Sequence, residues 1–313
     1  MPPPPVSIVV LSWNTKELLA KCLQALHRDP DIRSWEILVV DNASEDGSAD
    51  MTAEQFPWAK LVRNSENLLY SEGNNIGARA AEGEYLCLLN SDTEVLPGAL
   101  SMLARYLAAN EDCAVVSPQL LWPDGRIQTA CSKICRLRDA LSGLPILRRS
   151  RWARHARERY TMIDFDHATD MDVEQPPGAC MLMRRNEYLA MGGLDPQLSL
   201  YFNDVDFCRR LLRNGRRIHY LASAKVYHHH GASTKKRGEE FGHPLWHRNR
   251  ISYFRKWGGI PSAMVAVACF SAEVIDIGCR ILLRPRGWAE KPKTLAALCR
   301  YAARCLGLAR LQR

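Results

Sequence analysis

Residues Glu84-Tyr-Leu-Cys-Leu-Leu-Asn-Ser-Asp-Thr-Glu-Val95 decide how this chain folds. The apolar run Tyr85 to Leu89 is too short for a helix and suits a strand buried on both faces; it stops abruptly at Asn90, Ser91 and Asp92. A buried strand that ends in a carboxylate delivers that carboxylate to the crevice beyond the strand ends, where open α/β sheets bind ligands. An aspartate among oxygen-bearing side chains suits a hard divalent cation, and such a cation commonly bridges the phosphates of a nucleotide. The competing reading is an Asn/Asp turn leading into an ordinary helix start near Pro97.

Working back towards residue 1, strand and helix patterns alternate. Strands are expected at Val6 to Leu11, Trp35 to Val40 and Ala59 to Val62, with helices at Lys16 to Leu26, Gly47 to Phe56 and Gly73 to Ala81. Repeated winding of this kind gives an α/β fold with a mostly parallel sheet flanked by helices. Polar insertions sit where three strands end: Ser12-Trp13-Asn14, Asp41 to Gly47, and Asn90-Ser91-Asp92. All three open on one edge of the sheet. A carboxylate fixed at the end of the second strand can accept from a base imide or a ribose hydroxyl, although an Asx turn capping a helix would use Asp41 to Gly47 as well. A dinucleotide-binding dehydrogenase is excluded at the first turn, because Ser-Trp-Asn-Thr follows the first strand with no GxGxxG to admit a pyrophosphate.

Four ordered segments carry a resemblance: Ser7 to Asn14, Val39 to Ser48, Asn64 to Gly77 and Leu88 to Thr93. Together they resemble the inverting family 2 glycosyltransferases, particularly their rhamnosyltransferase-like branch. The resemblance implies a GT-A fold that binds a nucleoside diphosphate sugar, with Asp41 on the base and Asp92 as the surviving acid of the DxD motif. Asn90 stands where that motif has its first aspartate. The donor-binding residues it implies are Ser12, Asn14, Asp41, Asn42, Ser44, Asn67, Gly73, Asn74, Asn75, Asn90 and Ser91, with Gly73 and Gly77 allowing close packing.

Beyond Asp92 the pattern predicts a helix at Gly98 to Leu107, a strand at Ala114 to Ser117 and a hairpin over Leu120 to Gln128 around Pro123-Asp124-Gly125. Regular patterning dissolves from Cys131 to Asp170, where Arg148, Arg149, Arg151, Arg154, Arg157 and Arg159 read as a solvated face in preference to an acceptor or lipid phosphate contact. It returns with an apolar strand after Gly178 and with Tyr201-Phe-Asn-Asp-Val-Asp-Phe-Cys-Arg-Arg-Leu211. Spacing alone leaves Asp204 as either a helix cap or a functional acid. The segment is similar to the family's Glu-Asp-Val-Asp helix, which makes Asp204 the catalytic base; Asn203 replaces the glutamate, and losing that neighbouring charge predicts a weaker base. In Tyr227-His-His-His-Gly-Ala-Ser-Thr234 only His228 and His230 can share a strand face. The resemblance puts His228 on the metal with Asp92 and leaves His229 and His230 beside it or exposed; the alternative is a polar loop with an incidental histidine run.

With 313 residues, 47% of them hydrophobic, the chain can bury a large core without staples. Its eleven cysteines are odd in number and without a CxxC pair, which points to a reducing compartment, and four prolines at residues 2–5 lead straight into a strand with no secretion signal expected. Eight Lys/Arg against Glu290 between Arg284 and Arg313 supply +7 of the formal +8. Charge confined to a tail speaks against a nucleic-acid binder and for contact with anionic lipid. Pro261 to Leu283 approaches a membrane span but carries Glu273, Asp276 and Arg280 on one face, as a helix lying in the interface would; Leu295 to Leu308 repeats the pattern.

The expectation is a catalytic domain at 1–240, with donor half 1–118 and acceptor half 119–240, followed by a basic helical region at 241–313. It is an inverting glycosyltransferase using Mg²⁺ or Mn²⁺ at the inner face of the cytoplasmic membrane. By resemblance it moves L-rhamnose from dTDP-rhamnose to a hydroxyl of a cell-envelope or lipid-linked glycan, with a UDP-sugar donor or a non-enzymatic nucleotide-sugar binding module as alternatives and self-association left open. A processive synthase, which needs several membrane spans, does not fit.

Overall fold

The computed structural model describes residues 5–229, 239–283 and 291–306. In chain order the elements are β1 (Val6–Ser12), α1 (Lys16–Arg28), β2 (Glu36–Asp41), α2 (Ser48–Gln55), β3 (Lys60–Arg63), α3 (Leu69–Ala80), β4 (Tyr85–Asn90), β5 (Thr93–Val95), α4 (Ala99–Ala109) and β6 (Cys113–Leu121). There follow α5 (Leu137–Ser142), α6 (Arg151–Tyr160), β7 (Met171–Asp172), β8 (Cys180–Arg184), α7 (Arg185–Ala190), α8 (Asn203–Arg213), β9 (Arg217–His228), α9 (Glu239–Leu283) and α10 (Lys291–Cys305).

These elements form two compact units, one of residues 1–134, 164–199 and 203–236, the other of 135–163, 200–202 and 237–313. The first is built on a nine-stranded sheet in the order β3-β2-β1-β4-β8-β6-β9-β5, with β7 also paired to β9. Following the pairings, β1, β2, β3, β4, β6 and β9 run one way, while β5, β7 and β8 run against them. The register sets Ser12 beside Asp41 and Leu11 beside Asn90. The C-terminal ends of β1, β2, β4, β6 and β9 therefore emerge at one sheet edge, joined there by the N-terminal end of β8.

Packing explains why that edge is well defined. Leu19, Cys22, Leu23 and Leu26 recur at three and four residues along α1 and are buried against the sheet with Ile8, Val10, Val39 and Leu89. On α3 the small residues let the helix backbone lie directly on the strands: a Cβ at Gly77 would collide with Val9 and Val40, and one at Gly73 would come within 2.5 Å of Leu11 Cδ1. The close-packing role expected of both glycines is met.

Three element boundaries differ from the sequence reading. Helix α3 starts at Leu69, four residues before Gly73, because Asn67 Oδ1 accepts the Leu69 N–H and Leu69 turns the chain with φ 63°. Strand β6 runs through Pro118, tolerated because the β6/β9 register slips between Pro118 and Gln119. Strand β9 is twelve residues long, of which the histidine run marked only the last. The hairpin expected over Leu120 to Gln128 is present, with Leu121 bridging Ile127 and the Trp122 and Gly125 N–H groups closing its turn.

The second unit is helical. Within it α9 packs on α10 and α5 and breaks at Gly259, whose φ of 66° and ψ of −164° interrupt the helix two residues before Pro261. Glu273 does not extend an outward charged face: it accepts from Arg250 at 3.4 Å and lies 3.9 Å from His247, and buried Arg250 stacks on Trp246 at 4.7 Å. The side chains of Asp276 and Arg280, and residues 284–290 and 307–313 of the basic tail, lie outside the described residues.

Candidate active site

Four loops meet at the sheet edge where the strands end. After β1, Asn14 takes φ 53°, its N–H donates to Ser44 Oγ at 2.9 Å, and its Oδ1 accepts from the Glu45 N–H at 2.7 Å. These bonds lace the first loop to the second. Asp41 Oδ2 accepts from the Ser44 N–H at 2.9 Å, whereas its Oδ1 is buried with no hydrogen-bond partner among the described residues. A buried acceptor left open costs free energy unless a donor arrives, so Asp41 is built to receive one.

Asn42 ties the second loop to its neighbours: its N–H reaches Ser12 O, its Nδ2 donates to Leu69 O, and its Oδ1 accepts from Asn64. A hydroxyl chain, Ser12 to Thr15 at 3.1 Å and Thr15 to Ser91 at 2.8 Å, links the end of β1 to the turn after β4. Asn74, buried on α3, donates to Tyr70 O and leaves its Oδ1 open. Asn75 Oδ1 accepts from Tyr188 Oη and the Leu194 N–H, and its Nδ2 donates to Leu194 O at 2.8 Å, so its amide clamps α3 to the turn after α7.

Asp92 and His228, far apart in sequence, are brought together because β5 pairs with β9, Thr93 opposite His228. His228 Nε2 lies 3.5 Å from Asp92 Oδ1, and both side chains are buried. The backbone agrees, with the His229 N–H donating to Asp92 O at 2.9 Å. Gln128, which the sequence reading did not single out, fixes the imidazole. Its Nε2 donates to His228 O at 2.6 Å, so its Oε1 is the end that meets His228 Nδ1 at 3.0 Å. Nδ1 then carries a proton, and Nε2 is the nitrogen that faces the Asp92 carboxylate.

An imidazole held through its other nitrogen is how metal-binding histidines are oriented, and His228 Nε2 and the Asp92 carboxylate are near enough to share a cation. The donor set, one carboxylate and one neutral imidazole, fits Mn²⁺ or Mg²⁺. No cluster of three or more His, Cys, Asp or Glu side chains converges among the described residues. His229 pairs with Glu94 at 2.8 Å, and His230 lies outside the described residues.

Asp204 stands in the first turn of α8 with its carboxylate against Gly178, where a Cβ would sit 3.3 Å from Oδ2. Gly178 precedes Ala179, whose carbonyl accepts the Asn90 N–H at 2.9 Å. Asp204 and Asn90 thus flank the adjacent pair Gly178 and Ala179 at one sheet end. Gln175 Nε2 donates to Asp204 Oδ2 at 3.2 Å while its own Oε1 is held by Ser132 Oγ at 2.8 Å.

Burial pushes the Asp204 carboxyl above its ordinary value, against the opposing donors Val205 N–H and Gln175. The weaker base expected from Asn203 is thereby offset by desolvation. Asn203 itself is buried, donating to Ser71 Oγ at 3.0 Å and accepting the Asp204 N–H, so it anchors the helix start. Asp206, two residues on, is structural: it holds Arg210 at 2.9 Å, and Arg210 donates to the carbonyls of Met191 and Gly193. Gln128, Gln175 and Thr15 carried no local signal, since each acts only through a partner distant in sequence.

Residues 7–140 match the model of Glycosyl transferase family 2. The chain is 25% identical over 241 residues to an N-acetylglucosaminyl-diphospho-decaprenol L-rhamnosyltransferase of Mycobacterium tuberculosis, covering 72% of this chain and 76% of that one. It is 28% identical over 236 residues to the O-antigen biosynthesis protein RfbC of Myxococcus xanthus, covering 74% of this chain but only 18% of the relative. Among solved structures it superposes on the mannosyltransferase PcManGT from Pyrobaculum calidifontis, determined with GDP-Man and Mn²⁺, at a TM-score of 0.54 and 17% identity, over 97% of this chain and 86% of the other.

Proposed function

From a chain whose residues 7–140 are a family 2 glycosyltransferase domain and whose fold is GT-A, we propose an inverting, metal-dependent transferase that moves L-rhamnose from dTDP-rhamnose to a hydroxyl of a lipid-linked or cell-envelope glycan. The observation that carries the chemistry is the Asp92–His228 pair, 3.5 Å apart with the imidazole tautomer set by Gln128, at the sheet end where Asp41 keeps an open carboxylate oxygen. The choice of sugar follows the mycobacterial relative's name. We assign the catalytic region to 1–240 and the basic helical region to 241–313.

In this reading Asp41 Oδ1 accepts from the base, and the loops laced by Asn14, Asn42, Ser44 and Asn67 shape the nucleoside site, with Asn74, Gly73, Asn90 and Ser91 beside the donor. Asp92 and His228 would hold a divalent ion, which would supply electrostatic stabilisation of the leaving diphosphate. Asp204, ionised, accepts the proton of the acceptor hydroxyl as the oxygen attacks the anomeric carbon from the face opposite the diphosphate. One displacement inverts configuration. Gln175 holds Asp204 Oδ2 so that the carboxylate keeps one orientation during attack.

Contact with the inner face of the cytoplasmic membrane is part of the proposal. Pro244–Ile275 has the length and composition of a membrane-crossing helix, with mean hydropathy 1.6, and Ile260, Met264 and Ile275 are exposed. The test is a panel of dTDP-rhamnose, UDP-sugars and GDP-mannose offered with a lipid-linked acceptor, with and without EDTA. Metal-dependent transfer from dTDP-rhamnose is expected; transfer from a UDP-sugar alone would reassign the donor, and donor binding without turnover would leave a nucleotide-sugar binding module.

A further inference from the structure

The stretch 148–159 is fastened by two of its six arginines. Arg157 donates to Ser142 O at 3.0 Å and Arg148 O at 2.8 Å, and Arg159 pairs with Asp139 at 2.7 Å, which fastens the turn 143–150 against α6. Ser150 caps α6 by accepting from the Ala153 N–H, and Ala153 and Ala156 form its buried side. The remaining arginines, Arg148, Arg149, Arg151 and Arg154, are all exposed and have no ion pair among the described residues. Two large apolar side chains stand among them, Ile146 at 87% exposure and Trp152 at 47%.

A solvated charged face needs neither an exposed isoleucine nor an exposed tryptophan. Four unpaired guanidinium groups around an apolar tip match the boundary of an anionic bilayer, where phosphates lie over acyl chains and tryptophan favours the interface. We propose that residues 146–154 form a membrane-docking finger, with Ile146 and Trp152 entering the headgroup layer and Arg148, Arg149, Arg151 and Arg154 on phospholipid phosphates. This surface is separate in sequence from the basic tail and does not depend on the glycosyl-transfer reading. It replaces the solvated-face interpretation of these arginines.

The experiment is co-sedimentation of the full chain with vesicles of phosphatidylcholine alone or with a third phosphatidylglycerol, over a range of salt. Wild type is expected to partition onto the anionic vesicles and to be released by salt. Each juxtamembrane basic residue contributes about a fivefold factor to partitioning. Arg149→Glu with Arg151→Glu should therefore lower it by about tenfold or more, and Ile146→Ser with Trp152→Ser should weaken the binding that survives at high salt. Both double variants change exposed side chains and should keep the wild-type melting temperature. Unchanged partitioning in folded variants, or binding of duplex DNA in place of vesicles, would overturn the assignment.

Discussion

Asp204 holds a carboxylate in a largely desolvated setting, and that has two opposed consequences. As a base it must be ionised, so transfer should be lost as pH falls through a value raised above the ordinary carboxylate range, visible as the acidic limb of the pH–rate profile. For stability the sign reverses: the folded state binds the proton more tightly than the unfolded chain does, so Asp204 lowers stability as pH rises through that window. Asp204→Asn should cut transfer by about 100- to 10,000-fold. The same variant should melt higher than wild type at pH 7, with the difference shrinking at pH 4; a lower melting point at pH 7 would make the residue structural. Gln175→Leu removes a donor that favours the ionised form, and should move the acidic limb to higher pH without loss of donor binding. Gln128→Leu frees the His228 ring, and Mn²⁺ affinity measured by titration calorimetry should fall about 10- to 100-fold, the usual cost of losing a histidine's orienting partner.

At the scale of elements, the contact that sets the donor side of the site is α3 lying on β1 and β2 through Gly73 and Gly77. Gly77→Ala drives a methyl into Val9 and Val40, and overpacking of this kind costs about 1–3 kcal/mol, readable as a lower urea midpoint with an unchanged slope. The sequence made α3 visible as a small-residue helix but not its first turn, which depends on the Asn67 side chain meeting Leu69. β1, β2 and β4 were legible because strands buried on both faces read as apolar runs. β9 was not, because its burial alternates along Ala222 to Val226 among polar neighbours and its longer partners, β6 and β5, lie more than a hundred residues earlier. The arginine segment shows the same limit: only contacts decide that Arg157 and Arg159 bind their own backbone and Asp139 while the other four stay unpaired.

Across the whole molecule, a bound nucleoside diphosphate should raise the stability of the sheet-bearing unit. At a concentration 100 times its dissociation constant the gain is about 2.7 kcal/mol, and with EDTA present the thermal shift should collapse if Asp92 and His228 hold a divalent ion. Persistence of the full shift in EDTA would place the diphosphate elsewhere. Local sequence determined the strand–helix alternation and the polar ends of β1, β2 and β4, because apolar periodicity and chemical type are properties of short stretches, while the family resemblance singled out Asp41, Asp92, Asp204 and His228. Tertiary structure alone decided that β9 returns beside β5 to set His228 against Asp92, that Gln128 and Gln175 orient the two groups, and that Asn75 is consumed as a clamp. Those outcomes rest on pairings between residues more than twenty-five, and mostly a hundred or more, positions apart, which strand register and burial fix and no local pattern encodes.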